Sequence, residues 1–167
     1  MADWNKRFIE LTKHIATWSK DKSIGTCAVI ADKSNRIISV GYNGFPSGCN
    51  DEIQERHERP AKYLYTEHAE RNAIYNASRT GARTEGCTMY LMWFPCADCA
   101  RGIIQSGIKE VYIHKQFNDL CDSTQREQWK GHDNVTFTMF NEAGVNIFSI
   151  DEILGCRAYF DGKEFEL

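Results

Sequence analysis

His68-Ala69-Glu70 and Pro95-Cys96-Ala97-Asp98-Cys99 decide how this 167-residue chain is read. Together they offer one imidazole, two thiols and one carboxylate. An open zinc site takes three protein ligands and leaves a fourth position for water. His68, Cys96 and Cys99 meet that count, and Glu70 is left for proton chemistry beside the metal. Cys96 and Cys99 are three apart at the start of a predicted helix, so both thiols fall on one face of its first turn. The positive end of the helix favours their thiolate forms. Residues two apart on a helix point in different directions. For His68 and Glu70 both to reach the metal, the site must lie beyond the N-terminus of their helix and be approached end-on.

Working outward, the segments around these motifs read as alternating helix and strand. Asp3 to Ser19 carries Trp4, Phe8, Leu11, Ile15 and Trp18 on one stripe, with Asp3 as N-cap. Thr26–Ala31 and Arg36–Tyr42 form a hairpin around Asp32-Lys33-Ser34-Asn35. The first of these strands is apolar almost throughout, which predicts that both its faces are covered. Gly41 to Gly48 is a shaped, glycine-rich loop, and Asp51–Lys62 is a charged excursion or a short helix ended by Pro60, with His57 on its surface. Thr66 is the predicted cap of a helix over Glu67–Ser78 that stops near Gly81. Cys87–Phe94 is a strand ended by Pro95, Cys96–Ser106 a helix with Gly107 just beyond it, and Glu110–His114 a strand. That strand–helix–strand unit suits a parallel crossover. Gln125–Lys130 reads as helical around Trp129, Thr136–Ala143 as a helix closed by Gly144, and Val145–Ile150 as the last strand of the sheet. Asp161-Gly162 is placed to turn a small hairpin in the tail. No repeat, low-complexity segment or linker interrupts the chain, so residues 1–167 read as one domain.

Composition sets the limits. A formal net charge of -3 argues against a nucleic-acid partner, which calls for a basic face. No run approaches the ~20 apolar residues of a membrane span, and no leader-like segment opens the chain. The seven cysteines are odd in number and scattered. They read as mostly buried free thiols in a reducing cytoplasm. A structural zinc site needs a fourth ligand; Cys87, Cys49 and His114 are candidates without supporting spacing. A redox role for Cys96-x-x-Cys99 leaves His68 and Glu70 unused.

The arrangement H-x-E…P-C-x-x-C matches a signature already known for zinc nucleobase deaminases. In that chemistry Glu70 accepts a proton from water, donates it to ring N3 of a cytosine, and ammonia leaves C4. The main-chain amide of Ala69 is a donor for the pyrimidine carbonyl.

More specifically, the chain resembles the deoxycytidylate (dCMP) deaminases, within the cytidine deaminase-like fold. The resemblance runs from about Ser19 to Ile150. It is carried by Ser19-Lys20-Asp21, Arg36 to Pro46 with its Gly41-Tyr42-Asn43-Gly44-Phe45-Pro46 loop, Gly48-Cys49-Asn50-Asp51, His68 to Ile74, Phe94 to Ala100, and Gly107 to Val111. It implies an α/β, three-layer α-β-α fold with a central mixed sheet of about five strands. It also implies catalytic Zn2+ on His68, Cys96 and Cys99, Glu70 as catalytic acid and base, and conversion of dCMP to dUMP for thymidylate synthesis. A homohexamer, activation by dCTP and inhibition by dTTP with Mg2+ follow from the same resemblance. Substrate contacts then fall on Asn43, Ala69, Pro95 and Lys22, and the effector nucleotide on Gly41, Tyr42, Asn43, Gly44 and Phe45. Where the family often has a proline after Ser19-Lys20-Asp21, this chain has Lys22. Some members bind a second, structural zinc, for which Cys49 is one candidate ligand. A nucleic-acid deaminase would share the zinc motif but not the specific loop. A silent binding protein on the same fold would have no use for Glu70.

Overall fold

A computed structural model describes residues 3–21, 23–123, 131–155, 157–160 and 163–166. Lys22, Cys156, the Gln125–Lys130 segment and the Asp161-Gly162 turn lie outside the described residues.

The first helix, α1 (Trp4–Ala16), starts where Asp3 accepts hydrogen bonds from the amides of Asn5 and Lys6. It buries Phe8, Ile9, Thr12, Ile15 and Ala16. The apolar face is therefore turned from the predicted one: Trp4 and Trp18 stay exposed, and Ile9 is fully buried. Thr12 is tolerated there because its hydroxyl donates to the carbonyl of Ile9.

Strands β1 (Cys27–Ala31) and β2 (Ile37–Tyr42) pair antiparallel. Strand β3 (Thr88–Leu91) lies antiparallel on the other side of β1, and β4 (Glu110–His114) and β5 (Asn146–Ile150) continue in parallel. The order β2-β1-β3-β4-β5 gives one mixed sheet. All five residues of β1 are buried, as a strand covered on both faces requires. One core lies between the sheet and α1, with Phe117 and Cys121 of α5 (Lys115–Ser123). The other lies beneath α3 (Ala69–Thr80), α4 (Ala97–Gln105) and α6 (His132–Ala143). The three layers are thus helix, sheet, helix. A separate two-stranded ribbon, β6 (Arg157–Phe160) and β7 (Lys163–Glu166), forms in the tail.

Among the boundaries that depart from the sequence reading, three do so for a visible reason. Strand β3 leaves the ladder at Leu91 rather than Phe94, and the amide of Phe94 turns to the side chain of Asn118 instead. Helix α6 begins at His132, ahead of Thr136. Thr66 closes a short helix, α2 (Lys62–Tyr65), rather than capping α3. The cap of α3 is His68, because Glu67 is held extended by a two-way bridge with Gly44. The charged excursion is also less solvated than expected. It contains a 3-10 turn over Gln54–His57, and His57 stacks on Phe45 at 4.6 Å.

Candidate active site

Two helix N-termini meet at one point. His68 caps α3 with an extended backbone (φ −75, ψ 153), so its imidazole is not bound to the helical direction of Glu70. Cys96 caps α4 in the same extended conformation, and Cys99 follows in the first turn. Nδ1 of His68 lies 3.6 Å from Sγ of Cys96 and 3.5 Å from Sγ of Cys99. A tetrahedral ion with bonds of about 2.3 Å to sulfur and 2.0–2.1 Å to nitrogen requires an S···N edge of about 3.6 Å. The three donor atoms lie within 4.8 Å of one another, and they are the only such group among the described residues. The donor set and its dimensions fit zinc.

Electrostatics point the same way. The hydrogen bond from Cys99, opposed by burial and aided by His68, pulls the Cys96 thiol down to about 4. Cys99 is pushed up by giving that bond and by burial, so the pair gives up its first proton easily. Burial works against a charged His68, but the hydrogen bond to Cys96 and the nearby Glu70 carboxylate raise it overall. Glu70 is 8% exposed, and burial pushes its carboxyl above the ordinary glutamate value against the pull of His68. A metal-binding triangle beside a buried carboxyl of raised proton affinity can activate water and move protons.

Arg71 belongs to this site although no motif reading singled it out. Its guanidinium sits 3.8 Å from Sγ of Cys99 and is paired with Glu67. Glu67 in turn accepts from the amide of His68. The only signal available beforehand was the i, i+4 spacing of Glu67 and Arg71.

The predicted nucleotide contacts divide. The amide of Ala69 does not point free into the site: it donates to Oδ1 of Asn43 at 2.9 Å. Asn43 is 5% exposed, and its own carbonyl accepts from the hydroxyl of Ser19. Pro95 is buried, and its carbonyl accepts from Thr136. Gly41 lies within β2, against α3. A Cβ there would sit 2.3 Å from Ala69 O and Ala73 N, so this glycine exists to let α3 cross β2. Tyr42 is the last residue of β2, and its ring meets the edge of Trp18. Gly44 and Phe45 line a small cavity, whose walls also include Lys20, Asp21, His57 and Lys62. There Lys62 and Asp21 form an ion pair at 2.8 Å with side chains 7% and 8% exposed, a buried pair the sequence did not announce. His114 and Cys87 are not near the triangle as fourth ligands. His114 is hydrogen bonded to the carbonyl of Glu152 and the amide of Phe117, and Cys87 to the carbonyl of Arg83. Cys49 is exposed.

The fold and site define a metal-assisted hydrolase of deaminase type. Residues 2–115 match the family described as the cytidine and deoxycytidylate deaminase zinc-binding region. Among relatives, an uncharacterized deaminase of Aliivibrio fischeri is 42% identical over 88% of this chain and 93% of its own length. Human deoxycytidylate deaminase is 36% identical over 83% of this chain and 80% of its own. The dCMP deaminase of cyanophage S-TIM5, solved with dCMP and dUMP, shares the fold with a TM-score of 0.66 at 21% identity, over 87% of this chain and 95% of that one. The chain belongs to the cytidine and deoxycytidylate deaminase family.

Proposed function

We propose that the chain hydrolyses dCMP to dUMP and ammonia with catalytic zinc, supplying dUMP for thymidylate synthesis. The observation that carries this reading is the buried Glu70 carboxyl beside the His68–Cys96–Cys99 triangle. It stands in a chain 36% identical to human deoxycytidylate deaminase.

Zinc held by His68, Cys96 and Cys99 supplies a Lewis acid that brings the pKa of water from 15.7 towards about 7. Glu70 takes the proton that this water loses and hands it to N3 of the cytosine, which draws electrons from C4. Oxygen adds to C4, Glu70 passes the second proton to the exocyclic amine, and the C4–N bond breaks. Water and cytosine become uracil and ammonia, with Glu70 returned to its starting state. A group that is base and then acid works best with a pKa near the working pH, and burial moves Glu70 in that direction. Asn43 gives its side-chain oxygen to Ala69, and among the described residues its amide nitrogen has no protein acceptor. A buried donor of this kind is available to orient the nucleotide. In this reading Ala69 acts by fixing Asn43, and Pro95 by its position before Cys96.

Regulation by dCTP and by dTTP with Mg2+, in a homohexamer within the cytoplasm, is part of the same proposal. Its support is local. The Asn43–Gly44 backbone is tied to Ser19 and Glu67, one residue from His68. A ligand beside Gly44 and Phe45 would therefore pull on the α3 N-terminus. Lys20 and Lys62 line that cavity with their charges matched by Asp51 and Asp21, so a triphosphate there needs a cation of its own. Among the described residues, no helix is long and apolar enough to cross a membrane.

The deciding experiment compares ammonia release from dCMP, dCTP, deoxycytidine and CMP. The expected order puts dCMP first; equal or faster turnover of deoxycytidine would overturn the nucleotide reading. Added dTTP should make the dCMP saturation curve sigmoidal and dCTP should restore it. Hyperbolic curves throughout, with inhibition abolished by dCMP, would mean simple competition.

A further inference from the structure

The peptides just before Cys96 are held by two helices that contain none of the zinc or acid–base residues. The ladder of β3 ends at Leu91, so the backbone groups that follow need other partners. The amide of Phe94 donates to Oδ1 of Asn118, on α5, at 3.1 Å. The carbonyl of Pro95 accepts from the hydroxyl of Thr136, on α6, at 3.1 Å. Thr136 is fully buried. The next residue of α6, Phe137, lays its ring on that of Phe94 at 5.9 Å and 9° from parallel. Helix α6 therefore grips the segment twice, and α5 grips it once.

The carbonyl of Pro95 and the nitrogen of Cys96 share one peptide plane. Fixing that plane fixes where the Cys96 side chain leaves the backbone, since Cys96 keeps φ −66 and ψ 166. The hydrogen bond from Thr136 holds this plane by its carbonyl oxygen. We propose that Thr136 and Asn118 are positioning residues for the Cys96 thiol. They aim it at the point it shares with His68 and Cys99. The inference rests on the zinc reading above and not on the identity of the substrate.

Outer partners that orient metal ligands typically account for 10–100-fold in metal affinity. The test uses the purified zinc-loaded protein and the transfer of its zinc to a chromogenic chelator. Thr136→Val keeps the shape and removes the donor, whereas Thr136→Ser keeps the donor. Asn118→Ala removes the acceptor and Asn118→Asp keeps an oxygen in place. Thr136→Val and Asn118→Ala should each release zinc about tenfold faster than the wild type, and Thr136→Ser and Asn118→Asp should stay within about twofold. The rise in unfolding temperature on zinc loading should also shrink in the Val variant. A role confined to packing would lower the zinc-loaded and metal-free forms equally. That result, wild-type release rates in both Val and Ala, or Ser as fast as Val, would overturn the proposal. If Thr136→Val does not fold, the Asn118 pair decides alone. A wild type that holds no zinc would overturn the metal reading and this inference together. One that holds zinc but releases no ammonia from dCMP would overturn only the substrate, and the release rates would still decide this inference.

Discussion

At the scale of single residues, the proposed site divides its labour between three donor atoms for a metal and one buried carboxyl for proton transfer. Glu70→Gln removes the proton acceptor but keeps size and hydrogen-bonding capacity. Turnover should fall by about 10²–10⁴-fold, with zinc content and unfolding temperature unchanged. Metal analysis alongside single-turnover ammonia release checks both halves, and near-normal turnover would remove Glu70 from the mechanism. Cys99→Ala takes away a fully buried sulfur of the proposed zinc site. The purified variant should carry well under one equivalent of zinc, and wild-type stoichiometry would count against the assignment. That His68, Cys96 and Cys99 come together was legible because donor chemistry needs particular residue types at short spacings. Arg71 and Thr136 were not legible, because a guanidinium or hydroxyl has many ordinary uses. Thr136 meets Pro95 across 41 residues, a distance that no local pattern spans.

At the scale of elements, the periodic and capped segments were the readable ones. Asp3, the glycine at 81 and the glycine at 144 end their helices as their chemistry dictates. The start of α3 was misplaced because Thr66 has the chemistry of a cap, and the Gly44–Glu67 bridge that overrides it joins distant segments. The packing of Gly41 against the backbone of α3 has no local signal for the same reason. Gly41→Ala makes this concrete. The added methyl meets main-chain atoms of Ala69 and Ala73 at 2.3 Å, and these cannot rotate away as a side chain would. Overpacking of this kind costs about 1–3 kcal/mol, and here the upper end is expected. Because Ala69 adjoins His68, zinc retention should fall along with the denaturation midpoint. A variant with wild-type stability and zinc content would show that β2 and α3 can separate at no cost.

At the scale of the whole molecule, the stretch after β5 closes over the α1 face of the sheet. Lys13 donates to the carbonyl of Leu154 at 2.7 Å, Lys6 pairs with Glu152, and His114 at the end of β4 donates from Nε2 to the carbonyl of Glu152 at 2.8 Å. None of this was visible in a sequence whose last segment shows only a small alternating ribbon. His114 makes the closure sensitive to pH. It is fully buried, and its Nδ1 accepts from the amide of Phe117. The neutral ring with its proton on Nε2 satisfies both neighbours, whereas a second proton would set Nδ1–H against the Phe117 N–H. Burial lowers its pKa below the usual histidine value, opposed by the bond to Glu152 and the charges of Asp151 and Glu152. The unfolded chain, with His114 near 6.5, therefore binds more protons than the folded one just below that pH. Its contribution to stability is complete above about pH 6.5 and is lost as the pH falls towards the lowered folded-state value. His114→Gln keeps a donor for Glu152 and does not titrate. Unfolding midpoints compared at pH 7.5 and 5.5, both with zinc bound, should show a larger acid loss in the wild type than in the variant. His68, Glu70, Cys96 and Cys99 are the same in the two proteins, so the difference between them isolates His114. Equal losses in both would mean that His114 does not carry the acid sensitivity of this closure.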